Sequence, residues 1–202
     1  MRTLAPMLLV AAILCGCVSG PRWTRQMFAF SLPSDTSATI SNTNLVALHR
    51  VSISPLFESR SFTYRTAEDS YQQDPYAGFL IPPEQALAAA IRASMRASGV
   101  FGRVVPPSSD LAPSLVADVS LTQLYGDFRK KEQPVGTLEI HFICYEVNEG
   151  IPGRIVLDQI CAHETRLAAR TPAALMAAWD ADLREIMEEF DSAYIKATST
   201  AH

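Results

Sequence analysis

Residues 115–165 decide the fold, and they read LVADVSLTQLYGDF (115–128), RKKEQPVGT (129–137), LEIHFICYEV (138–147), NEGIPGR (148–154) and IVLDQICAHET (155–165). The apolar runs predict three consecutive strands, at 115–128, 138–147 and 155–165. Asn148, Gly150, Pro152 and Gly153 favour a turn between the second strand and the third. Strands that follow one another through short connections pair as an antiparallel meander.

A long amphipathic helix is predicted directly after the meander. Thr171 and Pro172 suit its N-cap and its first helical position. Large apolar residues then recur every three or four positions, as expected of a helix with one face in the core: Leu175, Trp179, Leu183, Ile186, Phe190 and Tyr194. An earlier helix is predicted from Pro82-Pro83 to Gly99, which is a natural C-terminal stop.

The region before that helix predicts two strands and a loop. Alternating residues from Leu45 to Ile53 indicate a strand, and residues 57–66 indicate a second one that pairs with it as a hairpin. Residues 68–83 are expected to form a loop, and residues 101–105 a short strand. The predicted fold class is therefore a single α+β domain with a mostly antiparallel sheet and two helices on one face.

Composition limits the classes of protein to which the chain can belong. It has 202 residues, of which 48% are hydrophobic and 19% are charged, with a formal net charge of −4. This is a globular composition, too apolar for a disordered chain and too polar for a multi-span membrane protein. Nucleic acid is not expected as a partner, because non-specific binding to it requires an excess of basic residues.

The N-terminus predicts a lipoprotein signal. Met1 and Arg2 precede an apolar run from Leu4 to Leu14 that is too short to span a membrane. The run ends in Leu14-Cys15-Gly16-Cys17, which resembles a bacterial lipobox with Cys17 as the acylated residue. A plain secretory signal and an uncleaved anchor are the alternatives. The predicted segments are a signal peptide at 1–16, a lipidated polar tether with a short strand near Phe28 at 17–44, and a domain at 45–198.

Two cysteines and two histidines in the meander are of the residue types that bind zinc: Cys144, Cys161, His141 and His163. A metal site is disfavoured, because His141 and Cys144 are three residues apart on one strand and point to opposite faces. A disulfide between Cys144 and Cys161 requires a register that places them opposite each other, and otherwise both are buried thiols. The motifs of P-loop nucleotide binding, of the hydrolase nucleophile elbow and of zinc proteases are absent from the sequence.

The tyrosine-rich segment from Tyr64 to Pro83 is the candidate interaction surface. Exposed Tyr and Arg side chains are common at protein interfaces, because they combine contact area with directional hydrogen bonds. The candidate partner-binding residues are Tyr64, Arg65, Tyr71, Asp74, Tyr76 and Phe79. The alternative is that these aromatic residues fold back under the first helix as a small additional core.

Several motifs together resemble one family of lipoproteins. The lipobox, the V-S-I-S-P strand at 51–55, Tyr64-Arg65 and the stretch from Asp74 to Pro83 are similar to the ABC-type transport auxiliary lipoproteins, which include the PqiC-like proteins. The resemblance implies a non-catalytic domain without a cofactor, which works with an MCE-domain subunit, a permease and an ATPase in lipid transport. Cys17 is the one functional position that it carries over.

Location and assembly follow as expectations. Val18 after the acylated cysteine, where inner-membrane lipoproteins often carry Asp, favours the periplasmic face of the outer membrane over the inner membrane. A homo-oligomer could form through sheet edges or through the tyrosine-rich segment. The alternative functions are a module that itself binds an acyl chain, an envelope structural or assembly lipoprotein, and an envelope hydrolase or metal-binding lipoprotein.

Overall fold

The computed structural model describes residues 24–31, 33, 44–106, 109, 111–130 and 132–199. The strands in this part are β1 (Gln26–Phe28), β2 (Leu45–Ile53), β3 (Ser61–Ala67), β4 (Ser70–Phe79), β5 (Arg103–Val105), β6 (Leu115–Asp127), β7 (Val135–Asn148) and β8 (Ile151–Arg166). The helices are α1 (Pro83–Ala97) and α2 (Pro172–Ser199), and a short 3₁₀ helix spans Pro55–Phe57. The predicted signal peptide, Cys17, Val18 and residues 34–43 of the tether lie outside the described residues.

The predicted meander is confirmed, since β6 pairs antiparallel with β7 and β7 pairs antiparallel with β8. Both β7 and β8 are longer than predicted. The turn between them consists of Glu149 and Gly150, which have φ angles of 52° and 80°. A two-residue turn with left-handed backbone matches the twist of a hairpin, so pairing continues up to it. Pro152 therefore lies within β8, where the outer edge pairs with no other described strand.

The other edge of β6 is shared by two strands in succession. β2 runs parallel to its first half, from the pair Val46 and Leu115 to the pair Ile53 and Leu121. β3 then runs parallel to its end, where Tyr64 pairs with Gly126. The predicted hairpin between β2 and β3 is therefore wrong. The 3₁₀ helix between them carries the chain along β6 instead of reversing it.

The predicted loop at 68–83 is also wrong, because β4 fills most of it and pairs antiparallel with β3. Asp74 and Pro75 are typical turn residues, but here they form a wide bulge inside the strand. The register changes from Thr63 opposite Gln73 to Ser61 opposite Gly78. Asp74 stabilises the bulge by accepting hydrogen bonds from the backbone N–H groups of Tyr76 and Ala77.

Both helices lie on one face of the sheet, and the fold is the predicted α+β class. α2 contacts β7 and β8, and α1 contacts β2 and β5. Thr171 caps α2 through the N–H of Ala174, as the sequence predicts. Each of the six large apolar residues of the α2 stripe is buried. Neither described helix is long and apolar enough to cross a bilayer.

The sheet begins before the predicted domain boundary at residue 45. β1 pairs parallel with β4, placing Gln26 opposite Ala77 and Phe28 opposite Phe79. Phe30, two residues after β1, is buried in the main core. The short strand predicted near Phe28 therefore exists, and it belongs to the sheet rather than to a tether.

Candidate functional site

The β3–β4 hairpin carries the six candidate partner-binding residues, and the structure divides them into different roles. Phe79 is 1% exposed. Its ring stacks on Trp179 of α2, with centroids 5.7 Å apart, and meets Phe62 edge-on at 5.0 Å. Phe79 is therefore a core residue, and its prediction as a contact residue is wrong because the hydrophobic face of β4 turns towards α2.

Tyr64 and Asp74 hold the hairpin together across its two strands. The Tyr64 hydroxyl donates a hydrogen bond of 2.7 Å to Oδ2 of Asp74. Burial, together with this bond and the nearby carboxylate charge, raises the pKa of Tyr64 well above its usual range. The ring of Tyr64 lies edge-on against Phe128 and close to Gly126, where a Cβ atom would come within 3.1 Å of it. These contacts give Tyr64 and Asp74 a role in shaping the hairpin.

Arg65 and Tyr71 lie on the face of the sheet that the helices leave open. The Tyr71 ring meets Tyr125 edge-on at 5.8 Å, and Tyr125 stacks on Phe57 at 5.9 Å. The Arg65 guanidinium lies 5.8 Å from the Tyr71 ring centroid and donates to the backbone oxygen of Glu68. Tyr71 remains 40% exposed. Its exposed ring is held in place by its contacts with Tyr125 and Arg65.

A chain of ion pairs borders this aromatic surface at the hairpin end. Arg129 donates to Glu68 and to Asp127, at 2.6 Å in each case, and Arg65 also reaches Glu68. Hydrogen bonding to Arg129 lowers the pKa of Asp127 despite its partial burial. The pairs open onto a cleft of about 590 Å³ that Lys130, Glu164 and Arg166 also line. We refer to Glu68, Tyr71, Asp127 and Arg129 as the hairpin-end surface.

Tyr76 is exposed, as predicted, but it lies away from the hairpin-end surface. Its side chain is 49% exposed. It precedes Ala77, which pairs with Gln26 of β1, so Tyr76 lies beside the edge strand. Tyr71 lies in the regularly paired part of β4, and Tyr76 lies five residues further along, within the bulge.

The cysteine and histidine residues of the meander do not converge. The register places Cys144 opposite Leu157 and Cys161 opposite Ile140, and both thiols are free. The disulfide considered from the sequence is therefore not formed. The tight turn at Glu149 and Gly150, together with the register shifts between Cys144 and Val147, places Leu157 opposite Cys144, four residues before Cys161. Burial raises the pKa of each thiol to about 12, so both stay protonated.

The two histidines lie on opposite faces of the sheet. His141 contacts Asp158 at 2.6 Å on the open face, and His163 faces Glu189 of α2 at 3.4 Å. Within the described residues there is no group of three or more His, Cys, Asp or Glu side chains suited to a metal ion.

Sequence reasoning missed Phe57, Glu68, Tyr125 and Arg129. Phe57 and Tyr125 meet Tyr71 only because β3 pairs with the far end of β6. That pairing joins residues about sixty positions apart, and it leaves no local pattern. One feature of the sequence could have pointed to this part of the site. Tyr125-Gly126-Asp127 lies at the end of a predicted strand, and a charged run begins at Arg129.

No protein-family model and no curated protein matches the chain. Solved structures do resemble it. The crystal structure of protein XCC0632 from Xanthomonas campestris, which carries the family designation DUF330, aligns with a TM-score of 0.66 at 14% identity, over 89% of this chain and 97% of that chain. An uncharacterized protein aligns with a TM-score of 0.56 at 12% identity, over 89% of this chain and 99% of that chain. These likenesses show that the α+β fold of this chain occurs in other proteins.

Proposed function

We propose that the protein is a membrane-anchored, non-catalytic auxiliary component of an MCE-type ABC lipid transport system. In this proposal Cys17 carries the acyl chains, and the domain faces the periplasm from the outer membrane. The lipobox and the motif resemblance support it. Acylation would confine the domain to a membrane surface, which raises its effective concentration for membrane-bound partners, so that weak contacts suffice.

One observation carries the proposal. The motif residues that resemble the family, from Tyr64-Arg65 to Phe79, all belong to the β3–β4 hairpin and its bulge. Phe79 fixes the hairpin to the core, and the bond from Tyr64 to Asp74 fixes the bulge. Arg65 supports Tyr71 from one side. A docking element requires a shape that is fixed before it binds, and these contacts fix the shape of the hairpin.

The hairpin-end surface is the partner contact in this proposal. Tyr71 offers a supported aromatic face, and Glu68 is 76% exposed although both its oxygens contact arginines. Aromatic and charged groups that are already held in place lose little conformational entropy on binding. The mixed charges favour a partner with a complementary polar rim over a purely apolar ligand.

The lipid-carrying alternative would place an acyl chain between α2 and the sheet. That interface is filled by large side chains that are at most 1% exposed, namely Phe62, Phe79, Phe142, Trp179, Phe190 and Tyr194. Phe142 and Phe190 stack with centroids 4.4 Å apart. This observation favours the auxiliary role over the carrier role.

Crosslinking in native membranes, followed by affinity purification of the full-length chain, tests the proposal. We expect an MCE-domain subunit, with its permease and ATPase, to copurify. The Cys17→Ser variant should move from the membrane fraction to the soluble periplasmic fraction and lose most of this copurification. Retention of Cys17→Ser in membranes would refute the anchor, and absence of transport subunits from the wild-type sample would refute the auxiliary role.

A further inference from the structure

One group of exposed apolar side chains lies on and beside β1; other exposed apolar side chains lie elsewhere on the described surface, including Ile151, Ile155 and Ile160 on β8. Met27 in β1 is 36% exposed, and Leu80 and Ile81, just after β4, are 57% and 40% exposed. The register brings them together, because Met27 lies opposite Gly78 and the N–H of Leu80 donates to the oxygen of Phe28. We refer to Met27, Leu80 and Ile81 as the β1-edge patch.

Two arginines flank the β1-edge patch. Arg25 donates to the Ser61 hydroxyl, and Arg60 donates through Nε to the backbone oxygen of Phe79. Among the described residues, neither guanidinium pairs with a carboxylate at salt-bridge distance. The surface therefore combines apolar side chains with two cations that no carboxylate of the described part of the chain neutralises.

The length of chain before β1 limits how far this edge can lie from a membrane. Six residues, 18–23, separate Cys17 from Thr24. At full extension they span at most about 25 Å. Two of them, Arg22 and Trp23, are of types enriched at membrane–water interfaces. An acylated Cys17 would therefore hold the β1 edge within about 25 Å of the bilayer.

We propose that the β1-edge patch rests on the surface of the bilayer that holds the lipid anchor. Met27, Leu80 and Ile81 enter the headgroup region, and Arg25 and Arg60 face lipid phosphates. This orientation turns the opposite edge of the sheet, β8, away from the membrane. Five strand spacings separate β1 from β8, which is about 24 Å. The inference rests on the proposed acylation of Cys17 and adds to it a defined orientation.

Site-specific fluorescence on the full-length lipidated protein tests the orientation. An environment-sensitive dye is attached to Leu80→Cys, and in a matched control to Ile160→Cys on β8, since Ile160 is 59% exposed and Leu80 57%. Cys144 and Cys161 are buried, so the parent protein should take up little label. The proteins are reconstituted in vesicles of phosphatidylethanolamine and phosphatidylglycerol that carry a quencher on the acyl chains.

The expected result is a blue shift and strong quenching for the Leu80 probe, with neither change for the Ile160 probe. Equal, water-like emission from both probes on vesicle-bound protein would overturn the orientation and leave the anchor intact; it would instead favour a protein partner for the patch. Failure of the protein to stay with the vesicles would overturn both the anchor and the orientation.

Discussion

The two faces of the sheet differ in chemistry along the same strands. On the helix-covered face, Phe62, Phe79 and Trp179 meet with ring centroids 4.9 to 5.7 Å apart. On the open face, the contacts include His49 with Asp118 at 3.0 Å and His141 with Asp158 at 2.6 Å. Exposed pairs of this kind contribute little to stability. The comparison indicates that the packed rings of the helix-covered face stabilise the fold more than these polar pairs do. In the proposed function, the open face provides the docking surface.

The largest expected effect is on the helix-covered face. Trp179 is fully buried and donates from Nε1 to the backbone oxygen of Tyr125. We expect Trp179→Ala to lower the free energy of unfolding by about 3–5 kcal/mol, because it leaves a cavity among aromatic rings. Urea denaturation measures this, with His49→Ala as the open-face control at about 0.5 kcal/mol or less. A similar decrease in the free energy of unfolding of both variants would contradict the difference in stability between the two faces.

Asp182 is a buried carboxylate among the apolar residues of the helix-covered face. It is 0% exposed. Burial raises its pKa to about 6, although Thr165 and His163 offset part of the rise. The folded protein thus holds a proton that the unfolded chain releases near pH ~4. The free energy of unfolding should therefore fall as pH rises from about 4 to about 6.

Replacing the Asp182 carboxylate should remove its contribution to the pH dependence of the free energy of unfolding. Asp191 of α2, whose pKa burial also raises to about 6, adds a slope of the same sign and remains in the variant. We expect Asp182→Asn to raise the free energy of unfolding near neutral pH by about 1–2 kcal/mol and to change it little at about pH 4. Urea titrations at the two pH values measure the difference. An unchanged pH dependence would mean that Asp182 is solvated.

An effect of similar size and opposite sign is expected at the hairpin. Tyr64→Phe removes the hydroxyl that donates to Asp74 and keeps the ring against Phe128. We expect a loss of about 1–2 kcal/mol, since the acceptor is a charged group that is partly buried. A double-mutant cycle with Asp74→Asn separates this bond from the backbone contacts of Asp74. A coupling energy near zero would show that the bulge does not depend on the bond.

Local patterns predicted the C-terminal half of the fold. The meander and α2 follow from alternation and from the stripe between Leu175 and Tyr194, because neighbours in sequence are neighbours in space there. The path of β2 and β3 was not predictable in the same way. It depends on parallel pairing with β6, and parallel pairing joins distant segments without a turn motif.

The candidate site was predictable only in part. Residue type correctly indicated exposed tyrosines at positions 71 and 76. It could not show that Phe79 contacts Trp179, a residue one hundred positions away. It also could not show that Asp74 stabilises a bulge within β4. The pairing partners of Cys144 and Cys161 were not predictable, because they depend on the two-residue turn at 149–150 and on two register shifts between Cys144 and Val147.

The proposed function requires that the hairpin-end surface contacts a transport subunit. Photocrosslinking in native membranes tests this most directly, with a photoreactive amino acid in place of Tyr71 and, as a control, in place of Ile195, which is 52% exposed on α2. We predict that mass spectrometry finds an MCE-domain subunit crosslinked to position 71 and not to position 195. No transport subunit at position 71, or equal crosslinking at both positions, would contradict the account.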